Sequence, residues 1–174
     1  VDSAVTVYEA LIAAGRRHGL LNAGYRAIES CRLEKGYRAW GADIGPDHTP
    51  IEAGLGWAVK DRGEVDFIGR EAVAAQRRDG VRKRLAGFTT DPAVVLLGRE
   101  TIFRDGERVG WLSSAGFGYT IDRSIGYGYV RDADVVTPEF VLSGSYELEV
   151  ATERVPCEVS LQPLYDPRAE RVRA

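Results

Sequence analysis

The chain has 174 residues, of which 44% are hydrophobic, and its 23 basic and 26 acidic residues give a formal net charge of -3. This length and composition suit a globular protein with a real core, built as one large domain or two small ones. The acidic balance argues against a dedicated nucleic-acid binder, which normally carries a basic excess on one face. The chain has no apolar run near the roughly 18 residues of a membrane helix, and no charged and then apolar leader at its start. We therefore expect a soluble, cytoplasmic protein that contacts neither nucleic acid nor membrane.

The cysteines and histidines give no sign of a disulfide or a metal site. Cys31 and Cys157 are far apart and neither belongs to a CxxC pair, so we interpret both as buried or unreactive thiols. His18 and His48 lie at no metal-ligand spacing from a cysteine or from each other. We predict that the chain holds no metal.

The chain opens on a short amphipathic helix. The apolar residues at helical spacing are Val5, Tyr8, Leu11 and Ile12. Ser3 precedes them as a candidate N-cap, and Gly15 or Gly19 follows as a stop. Because the chain begins with Val1 rather than Met and enters this helix at once, we interpret it as a piece of a longer protein and expect part of the function to lie outside it.

A second helix is predicted from about Ala23 to Glu34, with Gly36 ending it. Its apolar stripe consists of Ala27, Ile28 and Cys31. Glu29 and Arg32 are spaced to pair at i,i+3 on another face of the helix. This helix lies within "NAGYRAIESCRLEKGYRAWGADI", where charged side chains alternate with aromatic ones. A solvated, ion-paired face and a pocket for a flat, acidic small molecule both account for that mixture.

The next segment, "GADIGPDHTPIEAG", is predicted to be a loop of turns because it is rich in Gly, Pro and Asp. Asp43, Asp47 and Glu52 crowd this loop, where turn formation and capping explain them better than paired-carboxylate catalysis does. "LGWAVK" then predicts a short buried strand with Trp57 at its centre. Small glycines beside Trp57 would let a flat ligand approach closely, but a buried core tryptophan explains the pattern equally well.

A third helix is predicted within "DFIGREAVAAQRRDG" from the chemistry of its two ends. Glu71 falls in the first turn, Arg77 and Arg78 fall in the last turn, and Gly80 stands just beyond. Each charge therefore complements the helix dipole.

From residue 81 onward the sequence predicts an all-β unit. The segments with alternation or β-branched and aromatic content are "RKRLAGFTT", "ETIFRDGERVGWLSS", "SIGYGYV", "SYELEVA" and "PCEVSLQ". Asp105-Gly106 is a strong signal for a type I′ hairpin. The residues on the predicted buried face of "SYELEVA" are Tyr146, Leu148 and Val150. Closure into a small barrel would protect the sheet edges, and "VRDADVVTPEF" is predicted to be a loop between strands.

Two further patterns in this half resemble functional motifs without their context. Gly-x-Gly occurs at 116–118 and at 126–128, but the strand before, the helix after and the third glycine of a dinucleotide fingerprint are missing. We interpret these glycines as relieving crowding in bent barrel strands. Ser113 and Ser114 stand in no G-x-S-x-G elbow, so we predict no hydrolase chemistry.

The segments "AGYRAIESCRLEKGYRAWGADI", "TPIEAGLGWAVK", "DFIGREA", "RKRLAGFTT", "FRDGERVGWLSSAGFGYTIDRSIGYGYV" and "FVLSGSYELE" follow one another in this order. Together they resemble the C-terminal region of the sarcosine dehydrogenase and dimethylglycine dehydrogenase family. They are similar, more distantly, to the aminomethyltransferase, or T-protein, of the glycine cleavage system. The resemblance runs over nearly the whole chain.

The resemblance implies an α+β fold, in which a partial folate-binding α/β region is followed by a small antiparallel β-barrel. It implies that residues 1–80 are the C-terminal part of a T-protein-like folate-binding domain and that residues 81–174 are an aminomethyltransferase-type C-terminal barrel. The expected parent is an oxidoreductase whose N-terminal FAD domain oxidises an N-methyl amine such as sarcosine, with tetrahydrofolate capturing the one-carbon unit. The flavin domain of the same parent chain and the folate are then the expected partners.

This resemblance also implies that the piece contains no catalytic residue and is inactive alone. The carboxylate with which T-proteins position the reacting folate nitrogen lies in the upstream half of that fold. Two alternatives share the architecture: a fragment of an aminomethyltransferase proper, and a non-catalytic regulatory subunit of the kind associated with pyruvate dehydrogenase phosphatase.

Three residues carry the implied folate contacts. Trp57 matches the aromatic that lies against the folate in the relatives. Arg32, in "RLEKG", matches the arginine of the T-protein run "RLEAG", although an ion pair with Glu29 explains it too. Arg84 matches a basic position at the entry to the barrel, where a structural role is equally expected. T-proteins have a folate-contacting arginine where this chain has Ile28, which disfavours the aminomethyltransferase alternative.

Overall fold

The computed structural model describes residues 2–60 and 66–173. Its helices are α1 (Ala4–Gly15), α2 (Tyr25–Glu34), α3 (Arg70–Asp79), α4 (Pro138–Ser143) and α5 (Glu170–Arg173), with single 3-10 turns at Arg16–His18 and Gly56–Ala58. The strands are β1 (Lys83–Thr90), β2 (Thr101–Arg104), β3 (Glu107–Gly118), β4 (Arg123–Arg131), β5 (Tyr146–Val150) and β6 (Glu153–Ser160). The predicted α+β class is confirmed.

The six strands form one closed antiparallel barrel in the order β1-β4-β3-β2-β5-β6. Closure comes from β6 returning to β1, where Phe88 faces Val159. The barrel interior is filled by side chains from every part of the sheet, among them Phe88, Ile102, Leu112, Val130 and Leu148, each fully buried. A closed sheet leaves none of these strands with an unpaired edge.

The glycine pairs and the hairpin behave as the sequence predicts. The pair at 116–118 lies inside β3, and the pair at 126–128 lies inside β4. A Cβ on Gly126 would meet the Leu112 side chain, and a Cβ on Gly128 would meet the Trp111 carbonyl. Asp105 and Gly106 connect β2 to β3 with φ values of 52° and 86°, which is the pair of positive angles that a type I′ turn requires.

Helix α2 packs against the outside of the barrel with a face that the sequence did not indicate. Leu33 is buried in a cluster with Leu85, Ile125 and two tyrosines, and Ser30 Oγ donates to the Phe117 carbonyl at 2.7 Å. The predicted apolar stripe is wrong as a buried face, since Ile28 is 59% exposed and Cys31 is exposed. The residues that face the barrel are Ser30, Leu33 and Glu34, because the barrel surface offers backbone donors and acceptors as well as apolar side chains.

Two element predictions fail. "LGWAVK" is not a buried strand, because Gly56–Ala58 forms a 3-10 turn and Trp57 is 83% exposed. "VRDADVVTPEF" is not purely a loop, because it contains the start of α4, capped by Thr137 Oγ1 accepting from Phe140 N at 3.1 Å. Thr followed by Pro is a helix start, with Pro at a position that needs no N–H donor.

Candidate functional site

Two surface depressions lie beside the residues that the sequence singles out. The larger, here called the α2 cleft, has a volume of about 750 Å³ and is lined by Tyr25, Arg32, Trp40, Leu97, Phe117 and Tyr119, among others. The smaller, here called the Trp57 cavity, has a volume of about 370 Å³ and is lined by Gly54, Gly56, Trp57, Gln76, Arg77 and Arg84, among others. The structure therefore brings Trp57 and Arg84 together and places Arg32 elsewhere.

Trp57 presents its indole at the rim of the Trp57 cavity. It is held on a single 3-10 turn between Leu55 and Val59, and this turn contains no buried residue. Gly54 and Gly56 precede the ring on the chain, and a Cβ would approach Arg38 at Gly54 and Ile51 at Gly56. Gly54 also has a φ of +68°, a conformation that favours glycine. The result is an open, flat aromatic surface with small neighbours.

Arg84 supplies positive charge to the lining of this cavity. Its Nε donates to the Val136 carbonyl at 3.1 Å, which fixes the guanidinium and leaves Nη1 and Nη2 as further donors. Burial lowers the pKa of Arg84, and the nearby Glu139 opposes that shift. An arginine keeps its charge through such a change.

Gln76 also lines this cavity, but its amide oxygen is enclosed by protein. Its Oε1 is buried and has no hydrogen-bond partner within the described part of the chain. A buried acceptor without a donor is costly. The lining of the cavity thus offers an aromatic ring from Trp57 and a guanidinium from Arg84, a pair that suits a flat molecule with an anionic group.

Arg32 is committed to protein partners. Its Nε donates to Glu29 Oε2 at 2.9 Å and Nη2 lies 2.8 Å from the same oxygen, so the predicted i,i+3 pair is confirmed. Its Nη1 donates to Asp43 Oδ2 at 2.7 Å and to Ser114 Oγ at 3.1 Å. These contacts fit the ion-paired role that the sequence analysis gave as the other explanation of Arg32. Folate binding by Arg32 stays a prediction.

Asp43 is the residue that the sequence analysis undervalued. It is 1% exposed, and its carboxylate accepts hydrogen bonds from Arg32, from the Ala39 amide at 2.9 Å and from Ser113 and Ser114 Oγ at 2.6 Å each. Turn formation, the role that the sequence analysis gave to Asp43, accounts only for the hydrogen bond from the Ala39 amide. The two serines examined as nucleophiles are instead donors to this buried charge.

Comparison with known proteins agrees with the barrel and with the segments that precede it. Residues 1–62 match the family described as the GCVT N-terminal domain, and residues 83–166 match the glycine cleavage T-protein C-terminal barrel domain. The chain belongs to the glycine cleavage T-protein family. It is 28% identical to the glycine cleavage system aminomethyltransferase T of Bartonella henselae, whose crystal structure superposes with a TM-score of 0.79 over 94% of this chain and 44% of that one.

Among curated relatives of this T-protein family member, human mitochondrial sarcosine dehydrogenase is 46% identical over 98% of the chain. The mouse mitochondrial pyruvate dehydrogenase phosphatase regulatory subunit is 35% identical over 94% of it. The chain spans only 19% and 20% of the lengths of these two relatives. Within the described residues, no helix combines the length and the apolar character needed to cross a membrane.

Proposed function

We propose that this chain is the tetrahydrofolate-binding, C-terminal portion of a flavoenzyme similar to sarcosine dehydrogenase. The parent would demethylate an N-methyl amine and pass the one-carbon unit to tetrahydrofolate. The observation that carries the proposal is the meeting of Trp57 and Arg84, far apart in sequence, at one cavity. The 46% identity to human sarcosine dehydrogenase supports that branch of the family.

The Trp57 cavity is chemically suited to a reduced folate. The pterin is flat and can stack on the exposed indole of Trp57. The folate carries carboxylates on its glutamate tail, and an arginine is the side chain best suited to pair with them. Arg84 is the proposed partner of that charge.

The work of this chain would be to bind and orient the folate. Tetrahydrofolate, when bound, accepts the one-carbon unit. Trp57 would fix the plane of the ring and Arg84 would fix the charged end, so that the reacting nitrogen faces the parts of the parent that hold the amine. We assign no catalytic group to this chain and expect no turnover from it alone.

FAD does not fit the residues of this chain. The Gly-x-Gly pairs at 116–118 and 126–128 lie within barrel strands, and the pair at 54–56 leads into a single 3-10 turn, so none stands between a strand and a helix. The flavin is therefore proposed for another part of the parent, and no step is assigned to it here.

We also propose that the folate-binding part ends near residue 80 and that the barrel domain follows. Gly80 ends α3 with a φ of +84°, and β1 begins at Lys83. A cytoplasmic location remains a prediction, and the two curated relatives described above carry the word mitochondrial in their names.

The test is a titration with a reduced folate. In a protein whose single tryptophan is Trp57 (W40F and W111F), we expect saturable quenching of the indole fluorescence. Calorimetry on Trp57→Ala should show binding weakened by about tenfold or more, the loss that removal of one stacking platform produces. Saturable binding that is equally tight in Trp57→Ala, or no saturable binding by the unsubstituted chain, would contradict the proposed site.

A non-catalytic regulatory subunit is the second candidate, favoured by the 35% identity to the phosphatase regulatory subunit. An aminomethyltransferase fragment is less favoured, because Ile28 stands where T-proteins have a folate-contacting arginine. Sequencing the gene upstream of Val1 separates these possibilities. An intact dinucleotide fingerprint there supports the dehydrogenase, and a degraded one supports the regulatory subunit.

A further inference from the structure

Arg77 reaches from α3 to the turn that carries Trp57. Its Nη2 donates to the Gly56 carbonyl at 2.7 Å and lies 3.5 Å from the Val59 carbonyl. These two carbonyls stand on either side of Trp57 along the chain. The guanidinium therefore holds the turn through hydrogen bonds to its backbone carbonyls.

Within the described part of the chain, few other features fix the orientation of the turn. It is three residues long and has no side-chain cap and no buried residue. Trp57 is 83% exposed, so packing of the indole contributes little. The direction of the ring thus depends on the backbone of Gly56–Ala58, and that backbone depends on its external hydrogen bonds.

Helix α3 is better anchored than the turn. Val73 is buried against the rest of the chain, and Gly80 closes the helix by donating to the Gln76 carbonyl at 2.9 Å. A charge-assisted hydrogen bond from this helix is stronger than a neutral one. Arg77 can therefore transmit the fixed position of α3 to the turn.

We propose that Arg77 is a positioning residue that holds the Trp57 turn, and with it the aromatic wall of the Trp57 cavity, in the orientation that binds ligand. The identity of the ligand as a reduced folate rests on the proposed function. The bracing of the turn does not, and it can be measured without ligand.

The chain offers a conservative variant and a matched control. Arg77→Gln removes the charged donor, whereas Arg77→Lys keeps an N–H donor on a long side chain. Arg78→Gln removes the neighbouring arginine, which is exposed and pairs with Asp79 at 2.7 Å. Its removal leaves the contacts to the turn unchanged.

The experiment measures time-resolved fluorescence anisotropy of Trp57 in the W40F and W111F background, without ligand. We expect Arg77→Gln to increase the amplitude of fast local motion of the indole, Arg77→Lys to restore part of the difference, and Arg78→Gln to match the parent protein. Equal local motion in Arg77→Gln and Arg78→Gln would overturn the proposal. An Arg77→Gln variant that is globally unfolded by circular dichroism would also overturn it, because Arg77 would then stabilise the whole fold and not the turn in particular.

Titration of the same proteins with the reduced folate separates this inference from the proposed function. We expect Arg77→Gln to raise Kd by about fivefold to tenfold, as loss of preorganisation does, and Arg78→Gln to leave it unchanged. Tight binding by the parent protein with no change in Arg77→Gln would overturn the positioning role and leave the folate site standing. Increased motion in Arg77→Gln without folate binding by any variant would support the positioning role of Arg77 and reject a reduced folate as the ligand.

Discussion

Asp43 carries a buried negative charge at the junction of α2 and the barrel. Its carboxylate pairs with Arg32 and accepts from Ser113 and Ser114 on β3, and its carbonyl accepts from Tyr129 Oη at 2.9 Å on β4. A buried charge is tolerated only when it is paired and hydrogen-bonded. This one residue therefore connects a loop, a helix and two strands.

Asp43→Ala is expected to destabilise the protein by about 3 kcal/mol or more, because it leaves Glu29 as the remaining charge partner of Arg32 and removes the acceptor of the Ala39 amide and of the Ser113 and Ser114 hydroxyls. Thermal or urea denaturation measures the change. Asp47→Ala is the matched control, since Asp47 is exposed in the same loop and its carbonyl, which accepts from Lys83 Nζ at 2.6 Å, is kept. Equal stability of the two variants would contradict the role given to Asp43.

The sequence could single out Trp57 and Arg84 as candidate site residues, but it did not single out Asp43. Trp57 and Arg84 are conspicuous as an aromatic between glycines and a basic residue at the start of a strand. The partners of Asp43 stand 11, 70 and 71 positions away. No local pattern signals a contact between such distant residues, and Asp43 in a Gly-rich and Pro-rich loop is indistinguishable from a turn former.

Among the elements, strands and hairpins were predictable because their signals are local. Alternation marks β5, and two residues mark the β2–β3 turn. One failure lies where a short apolar run has no period: "LGWAVK" satisfies the pattern of a buried strand as well as that of a turn. The third helix, by contrast, was predicted from charges at both of its ends and from a glycine just beyond it, and these signals all indicated the same segment. The observed helix, Arg70–Asp79, agrees with that prediction.

Gly106→Ala tests the hairpin. The φ of 86° at this position should cost alanine about 1 kcal/mol of stability, since a Cβ disfavours the left-handed region. Space is not the cause, because a Cβ at Gly106 would meet nothing within 4 Å. Gly45→Ala is the control, with equally open surroundings and no positive φ. Chemical denaturation should show a loss for Gly106→Ala alone, and an equal loss in both would contradict this explanation.

Considered as a whole, the molecule is held together by its C-terminal segment as well as by its barrel. After β6 the chain returns to α2, where the Tyr165 amide donates to the Glu34 carbonyl at 2.9 Å and Lys35 Nζ lies 2.8 Å from Asp166 Oδ2. The hydrogen bond from Lys35 lowers the pKa of Asp166. The last residues thereby fasten the helix against the barrel.

This attachment should weaken in acid. Because the pKa of Asp166 is lower in the folded chain than its ordinary value of about 3.9, its stabilising contribution is present above that value and is lost as pH falls through the folded pKa. Hydrogen exchange of the Tyr165 amide should show protection that declines at low pH. Lys35→Met should reduce both the protection and its pH dependence, whereas Lys60→Met, at an exposed lysine, should change neither. Protection in Lys35→Met equal to that of the unsubstituted chain would contradict this account.

Closure of the barrel between β1 and β6 has a consequence for synthesis on the ribosome. Thr89 pairs with Glu158, so the two strands that seal the sheet are separated by almost seventy residues of translation. At roughly 5–20 residues per second this interval lasts about 3 to 14 s. During that time every nascent copy displays the edge of β1 to its surroundings, and the finished barrel conceals a surface that molecular chaperones can recognise while the chain is being made.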